Sequence, residues 1–212
     1  MRIFRTLGVL VAGAGLAGGL VAAAPAASAH TTATGHRSLA ALLTADGNRF
    51  DRNGRDYDVV TEAVLAVLAA KPSSPVGVLA DGSVPLTAFL PDDRAFRLLV
   101  KDLTGRWVVR ESAVFAAVAG LGIDTVETVL LYHVVPGATI TKRQALRADG
   151  ARLTTAQGGT ITVRVPFRRY PLVVLRDADR DDANPVVRRF DLNRGNVQIA
   201  HGITRVLRPV DL

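Results

Sequence analysis

The sequence predicts an α+β fold in a single domain. Apolar residues recur at helical spacing through much of residues 38–132, whereas residues 152–207 alternate between apolar and polar side chains in short runs separated by turns. Helices gathered in one half of a chain and strands in the other are typical of the α+β class. The chain has no cysteine, so its stability has to come from packing of the core and not from disulfides.

The first 29 residues are predicted to be a secretory signal peptide. Arg2 and Arg5 precede an uncharged run rich in Ala and Gly, and small residues lead up to a cleavage point between Ala29 and His30. The alternative is a retained membrane anchor, but the run is only about 18 residues long and weakly apolar. We therefore expect a mature protein that is secreted or loosely associated with the cell wall, without stable insertion in a membrane.

Residues 30–55 are predicted to form an N-terminal extension with a short helix and a polar loop. Ser38 can cap the short helix, and the loop that follows is rich in Asp, Asn and Gly. Asp58 is then predicted to cap a longer helix that ends near Ala70, because valines recur on one face and Pro72 follows.

The middle of the chain alternates between a strand and helices. A short strand is predicted at residues 86–90, and Asp92 is predicted to cap the next helix. A further helix is predicted at residues 112–119. Asp124 is predicted to cap the helix after it, because Glu127 lies three residues later and would complete a capping box.

The second half of the chain is predicted to be mainly strands. Thr141 can cap a short helix that reaches Ala148, and from there the pattern changes to alternation. The predicted strands cover residues 152–155, 160–165, 172–176, 197–200 and 203–207.

Tyr132 and His133 are two polar aromatic residues between an apolar run and the Pro136–Gly137 turn. Buried Tyr and His cost free energy unless each polar atom has a hydrogen-bond partner. The pair is therefore either a structural network or a binding site. We interpret His133 as a neutral imidazole that bonds to the backbone and fixes the turn, and a contact surface for a partner remains the alternative.

Three segments resemble the conserved motifs of one family, in its order and at about its spacing. Residues 87–96 resemble the first conserved box of fasciclin-like domains, residues 132–137 their central Tyr–His motif, and residues 196–209 their second box, read as two strands joined at a glycine. A hairpin at residues 153–163 also fits. The motif residues that match are Thr87, Phe89, Pro91, Asp92, Phe96, Tyr132, His133, Pro136, Gly137, Asn196 and Gly202.

The resemblance implies a fasciclin-like domain over residues 56–212. This domain would be a β-wedge or sandwich of about seven strands with helices packed around it. Residues 166–195 are longer than the family norm and are expected to be an insertion, either a binding flap or an edge hairpin that covers a sheet.

The resemblance also implies a non-enzymatic role in adhesion, for a secreted bacterial protein that contacts an extracellular protein or a cell-surface glycan. By analogy with relatives, the candidate partner-binding residues are Tyr132, His133, Gln198 and Ile199. Relatives carry Asp where this chain has Gln198, so we do not expect the metal-assisted contact with an integrin-like receptor that needs a carboxylate.

Two other functions are weighed against adhesion. A carrier would hold a small, lipid-like ligand between the helices and the sheet. A hydrolase would use His133 or His201, but no motif joins either histidine to a nucleophile, and we expect no catalytic residues.

Nucleic acids, cofactors and metals are not expected as partners. The net charge of +7 is scattered and aromatic residues make up only 5% of the chain, which does not fit a nucleic-acid binder. Two acidic stretches, residues 177–182 and the loop from Asp51, begin like calcium loops but lack the glycine and acidic residues that the pattern needs. We expect both to be solvated turns.

Overall fold

Helices and strands divide along the chain as an α+β fold predicts. The computed structural model describes residues 35–45, 47–167 and 169–210, so the predicted signal peptide and its cleavage point at Ala29 and His30 lie outside the described residues. The helices are α1 Leu39–Leu43, α2 Asp58–Ala70, α3 Asp93–Thr104, α4 Glu111–Ala119, α5 Ile123–Tyr132 and α6 Lys142–Ala145, with a 3-10 helix at Pro75–Ala80. The strands are β1 Leu86–Pro91, β2 Val134–Pro136, β3 Arg152–Thr154, β4 Thr160–Arg164, β5 Val174–Arg176, β6 Val187–Leu192 and β7 Gln198–Ile203.

The seven strands form two sheets, neither closed into a barrel. One sheet has the order β2-β1-β7-β6, and its two central strands, β1 and β7, run parallel from the pair Leu86–Gln198 to the pair Pro91–Ile203. The other sheet has the order β3-β4-β5 and is antiparallel. The predicted arrangement of about seven strands with helices packed around them is confirmed.

The core is divided between the two faces of the four-stranded sheet. Leu86, Ala88 and Leu90 of β1 pack with the helices, whereas Phe89 of the same strand packs with Ile161 and the other apolar residues of the three-stranded sheet. Alternate side chains of a strand point to opposite faces, and so β1 contributes to both cores.

Three of the predicted helix caps are confirmed. The Ser38 side chain accepts a hydrogen bond from Ala41 N, and the Asp92 side chain accepts one from Ala95 N. Thr141 forms a capping box with Gln144 at the start of α6, although this helix ends at Ala145 and not at Ala148. These caps are local interactions, which is why sequence spacing identifies them.

Two other predicted caps are wrong. Asp58 is the first residue of helix α2 and not the residue before it. The Val59 amide in the first turn of α2 donates a hydrogen bond to Asp93 Oδ1, 2.9 Å away at the start of α3. Helix α5 begins after Gly122, with no side-chain cap, and so Asp124 lies inside its first turn. In α2 the cap comes from a residue distant in sequence, which helix patterns cannot reveal.

The strand predictions differ from the structure around the second box. Residues 198–203 form one continuous strand that passes through Gly202, and residues 204–207 are not a strand. The sequence analysis missed β2 and β6, and β6 lies in the expected insertion of residues 166–195, which also contains β5. Strand β6 pairs with β7 through two register shifts, and these irregularities mask its alternating pattern.

Gln198 anchors the N-terminal part of the chain to the central sheet. Its Oε1 accepts a hydrogen bond from Leu39 N at 2.8 Å, and its Nε2 donates to Val78 O at 2.8 Å and to Asp81 O at 2.7 Å. The Gln198 side chain is fully buried, so water does not replace these three hydrogen bonds if the side chain is removed. A single amide thus joins β7 to α1 and to the C-terminal half of the 3-10 helix region.

Replacing Gln198 with alanine is expected to lower the free energy of unfolding by roughly 2–4 kcal/mol, because buried backbone groups lose their partner. Urea unfolding measures the change. The matched control is Gln157→Ala, since the exposed Gln157 bonds only to the nearby Gly159 amide, and a change of at most about 0.5 kcal/mol is expected. Equal losses in the two variants would contradict the anchoring role of Gln198.

Candidate interaction site

The Tyr132–His133 pair lies where α5 meets β2, at the junction of the two cores. Tyr132 Oη donates a hydrogen bond to Thr160 O at 2.9 Å, at the start of β4. Its ring lies against Gly159, where an added Cβ would come within 2.7 Å of the ring. Tyr132 therefore fastens α5 to the three-stranded sheet. The pKa of Tyr132 is raised to about 12, mainly by burial of the phenol, and so the hydroxyl keeps its proton and remains a donor at neutral pH.

Both ring nitrogens of His133 bond to the backbone. Nε2 accepts a hydrogen bond from Leu207 N at 2.9 Å, so Nδ1 carries the proton and donates to Val129 O at 2.7 Å. Burial lowers the pKa of His133 to about 4, so the imidazole is neutral, as the sequence analysis proposed. Its partners, however, join the end of α5 to the segment after β7 and not to the turn.

The Pro136–Gly137 turn is held by Thr87 of the first box. Thr87 Oγ1 donates to Ala138 O at 2.6 Å and accepts from Ile140 N at 2.8 Å. Gly137 N donates to Pro85 O, and Gly137 has a φ of 76°, a region that glycine adopts without strain. The structure thus assigns to Thr87 the role that the sequence analysis gave to His133.

The four candidate partner-binding residues are all buried. The exposed fractions are 1% for Tyr132, 4% for His133, 0% for Gln198 and 1% for Ile199. The structure brings them into the central sheet and its borders, and not onto a common exposed surface. Their predicted contact with a partner stays a prediction.

The second histidine, His201, is also engaged on both sides. Nδ1 accepts from Asp191 N at 3.2 Å, and Nε2 donates to Ile140 O at 2.8 Å. Burial lowers the pKa of His201, which keeps this imidazole neutral as well. Neither His133 nor His201 has a ring nitrogen free to act as a general base in this arrangement. The absence of catalysis nevertheless stays a prediction.

The remaining motif residues have structural positions. Phe96 is buried in the helical core, and Pro91 ends β1 directly before the Asp92 cap. Asn196 Oδ1 accepts from Arg37 N, and its Nδ2 donates to Asn193 O. These residues fix the ends of β1 and β7.

An open cleft lined by arginines lies at the β6 side of the four-stranded sheet. It has a volume of about 350 Å³ and is lined by Arg55, Tyr57, Asp92, Arg188, Arg189 and Gly202. We call these six residues the arginine cleft. The adjacent Arg188 and Arg189 are visible in the sequence, but the cleft could not be predicted from them because it joins the loop before α2 to a strand about 130 residues later.

Tyr57 and Gly202 give the arginine cleft its floor. A Cβ at position 202 would lie 2.3 Å from Tyr57 Oη, so only glycine leaves room for the phenol. The guanidinium carbon of Arg189 lies 5.7 Å from the centre of the Tyr57 ring, a cation–π arrangement. Burial raises the pKa of Tyr57 to about 12, and its buried hydroxyl has no acceptor for its proton, since arginine only donates.

The charge of the arginine cleft is positive. It holds three guanidinium groups and one carboxylate, and Asp92 Oδ1 already accepts from Ala95 N. Among the described residues no salt bridge involves Arg55, Arg188 or Arg189. The cleft therefore presents donors that fit a bound oxyanion.

The two acidic stretches are mostly exposed turns, as expected, but each also has acidic side chains that are buried or partnered. In the stretch 177–182, Asp179 is buried and pairs with Arg208, which also contacts Asp182. In the other loop, the chain before α2 lies against the start of α3 and brings Asp56 and Asp58 close to Asp93. Burial, followed by the neighbouring Asp56, raises the pKa of Asp93 to about 9.

Two small apolar cavities lie among the described residues. One lies among the helices beside His133, the other lies between the two sheets beside His201, and each has a volume of about 20 Å³. This volume holds about one water molecule, whereas ligand pockets typically measure roughly 300–1,000 Å³.

No single helix in the described ranges is long and apolar enough to cross a membrane. Helices α4 and α5 reach the required length and composition only as a pair, and they are bent by 104° at their junction.

The architecture, an α+β domain with two stacked sheets, is shared with a known class of proteins. A model of the fasciclin domain matches residues 61–209, most of the chain, and so the chain belongs to the fasciclin family. The sequence-based resemblance is thereby confirmed. A search of curated proteins finds no match.

A solved structure of similar fold is a FAS1 domain pair from the insect cell adhesion molecule fasciclin I. The TM-score is 0.54 at 15% sequence identity, and the match covers 82% of this chain and 51% of that chain. The chain thus spans about half the length of that domain pair. At this identity the likeness shows the fold alone.

The buried His133 makes stability depend on pH. The pKa of His133 in the folded protein is about 4, below its ordinary value of 6.5. The neutral imidazole therefore contributes its full free energy of stabilisation above pH 6.5, and this contribution is lost as the pH falls towards 4. For His133→Gln, the loss of unfolding free energy relative to wild type is expected to be roughly 2–3 kcal/mol smaller at pH 4.5 than at pH 7.5.

Urea unfolding at the two pH values checks this expectation. His36→Gln is the matched control because His36 is exposed, and its difference from wild type should not depend on pH. A constant penalty for His133→Gln at both pH values would show that the folded imidazole is not held neutral.

Proposed function

We propose that this protein is a secreted, adhesion-type module that binds an extracellular protein or cell-surface glycan by non-covalent contact. It uses the arginine cleft to hold acidic groups of that partner. Membership of the fasciclin family supports the adhesion-type role, and the fold is shared with a domain pair from a cell adhesion molecule. Secretion rests on the signal-peptide pattern of residues 1–29.

The observation that carries the proposal is the set of exposed guanidinium groups at a concave surface, none of which has a salt bridge among the described residues. Exposed arginines are common, but they usually project from convex surfaces, whereas Arg55, Arg188 and Arg189 converge on one cleft with the Tyr57 hydroxyl. A guanidinium offers a planar pair of N–H donors that matches a carboxylate or a sulfate. An acceptor that enters beside Arg189 would also satisfy the hydroxyl proton of Tyr57.

Recognition in the cleft relies on side chains and not on strand addition. Strand β6 is the edge of its sheet, but it has two register shifts, and Asp191 has a φ of 58°. An irregular edge with adjacent arginines does not offer the regular ladder that an extended peptide needs.

In this proposal the buried motif residues act indirectly. Direct contact of a partner with Tyr132, His133, Gln198 or Ile199 would require the sheet to open. These residues instead hold β1 and β7 in place, and β7 supplies Gly202 to the floor of the cleft.

The carrier and the hydrolase have less support. A lipid-like ligand needs far more room than the cavities of about 20 Å³ provide. A hydrolase that uses a histidine needs a free ring nitrogen, and both candidates bond to backbone on both sides.

Charge reversal at Arg188 tests the proposal. Binding of the purified mature protein to intact cells and isolated envelopes is expected to weaken about tenfold or more in Arg188→Glu, because a charge-assisted contact becomes repulsive. Raising the ionic strength should weaken wild-type binding more than that of the variant.

The matched control is Arg143→Glu, which changes the net charge equally at an exposed position on α6 outside the cleft. It is expected to bind like wild type. The same loss in both variants would point to a general effect of net charge, and binding unchanged in Arg188→Glu would contradict the assignment of the cleft.

A further inference from the structure

We propose that Asp56, Asp58 and Asp93 form a binding site for a divalent cation of the calcium type. One oxygen of each carboxylate lies within 4.8 Å of the others. This inference departs from the expectation that no metal binds, and it does not depend on the arginine cleft.

The fold brings these carboxylates together through backbone contacts. Asp93 N donates to Asp56 O at 3.2 Å, and Arg94 N donates to Gly54 O at 3.0 Å. These bonds fasten the loop before α2 onto the first turn of α3. Asp58 then begins α2 directly beside Asp93, whose Oδ1 accepts from Val59 N.

Asp93 supplies an observation beyond the clustering of acids. The residue is 0% exposed, and its Oδ2 has no hydrogen-bond partner outside the acidic cluster, in which Asp56 lies within hydrogen-bonding reach. Asp56 Oδ1 is likewise buried without a donor. No salt bridge of the described residues involves Asp56 or Asp93. A buried carboxyl group that lies beside two others and has no donor from outside the cluster to its second oxygen fits a cation ligand.

A neighbouring acidic group is already satisfied and is a weaker candidate. Asp51, Asp56 and Glu111 also lie within 4.8 Å of one another. There, however, Glu111 pairs with Arg97 at 2.7 Å and accepts from Asp51 N at 2.6 Å. The Arg97 guanidinium already supplies a positive charge to the group of Asp51, Asp56 and Glu111. The cation is therefore assigned to the group of Asp56, Asp58 and Asp93.

The ligand set identifies the class of cation. Three carboxylate oxygens are hard ligands, which favour Ca²⁺ or Mg²⁺ over zinc or copper. Calcium tolerates irregular oxygen sites, whereas magnesium demands near-octahedral geometry and keeps most of its waters. A loop that is partly open at Asp56 suits calcium at the affinity of roughly 10⁻⁴–10⁻³ M found in extracellular modules.

The site has a structural consequence for the cleft. Tyr57 lies between two of the proposed ligands, Asp56 and Asp58, and Arg55 directly precedes them. A bound cation would therefore fix the segment that carries two lining residues of the cleft.

Thermal unfolding with and without calcium tests the inference on the full mature protein. Addition of 10-fold excess CaCl₂ over the dissociation constant is expected to raise Tm by about 3–6 °C over a NaCl sample of equal ionic strength. Titration calorimetry should show one calcium ion per chain. Asp93→Asn is expected to keep the cap on Val59, because asparagine retains an oxygen, but to lose the calcium-dependent shift.

Asp124→Asn is the matched control, because the side chain of Asp124 is 85% exposed and distant in sequence from the site, and it should keep the full shift. Asp56→Asn provides a second ligand variant if Asp93→Asn does not fold. An absent shift in wild type, no calcium bound in the calorimeter, or an equal shift in both ligand variants would overturn the proposal. In that case a proton shared between Asp56 and Asp93 accounts for their proximity.

Discussion

The parallel pairing of β1 with β7 is the constraint on which the rest of the structure depends. Every residue of both strands is buried, including the polar Thr87, Gln198 and His201. A buried polar side chain is tolerated only when its atoms have partners, and here each of these residues bonds to the backbone of a segment outside the two strands. The two strands therefore position the 3-10 helix region and the segment after β2, as well as forming the core.

The same constraint occupies the polar side chains of the central sheet with internal hydrogen bonds. His133 and His201 lie in the family motifs, and taken by themselves they would suggest a catalytic site. Burial keeps both imidazoles neutral, and both ring nitrogens of each bond to the backbone. Several buried side-chain atoms have no hydrogen-bond partner, and three of them, Asp56 Oδ1, Tyr57 Oη and Asp93 Oδ2, lie in the segment before α2 or at the start of α3. Buried polar atoms without partners are rare in folded proteins, and for this reason both proposed sites include the segment of Asp56 and Tyr57.

The sequence predicts the local features of this fold well. Helix caps at Ser38, Asp92 and Thr141 depend on neighbours within three residues, and the three family motifs identify the domain. Prediction failed where a residue distant in sequence supplies the partner: Asp93 caps α2, and Leu207 N donates to His133 Nε2. The arginine cleft could not be found for the same reason, since Arg55 and Arg188 meet only after β6 pairs with β7.

Native-state hydrogen exchange tests the central role of the β1–β7 pair most directly. If the pair supports the other elements, the amides of β1 and β7 should exchange only through global unfolding, with the free energy measured by urea. Amides of the three-stranded sheet and of β6 should exchange through smaller, local openings. Exchange from β1 and β7 at lower free energies than from β3, β4 and β5 would contradict the account.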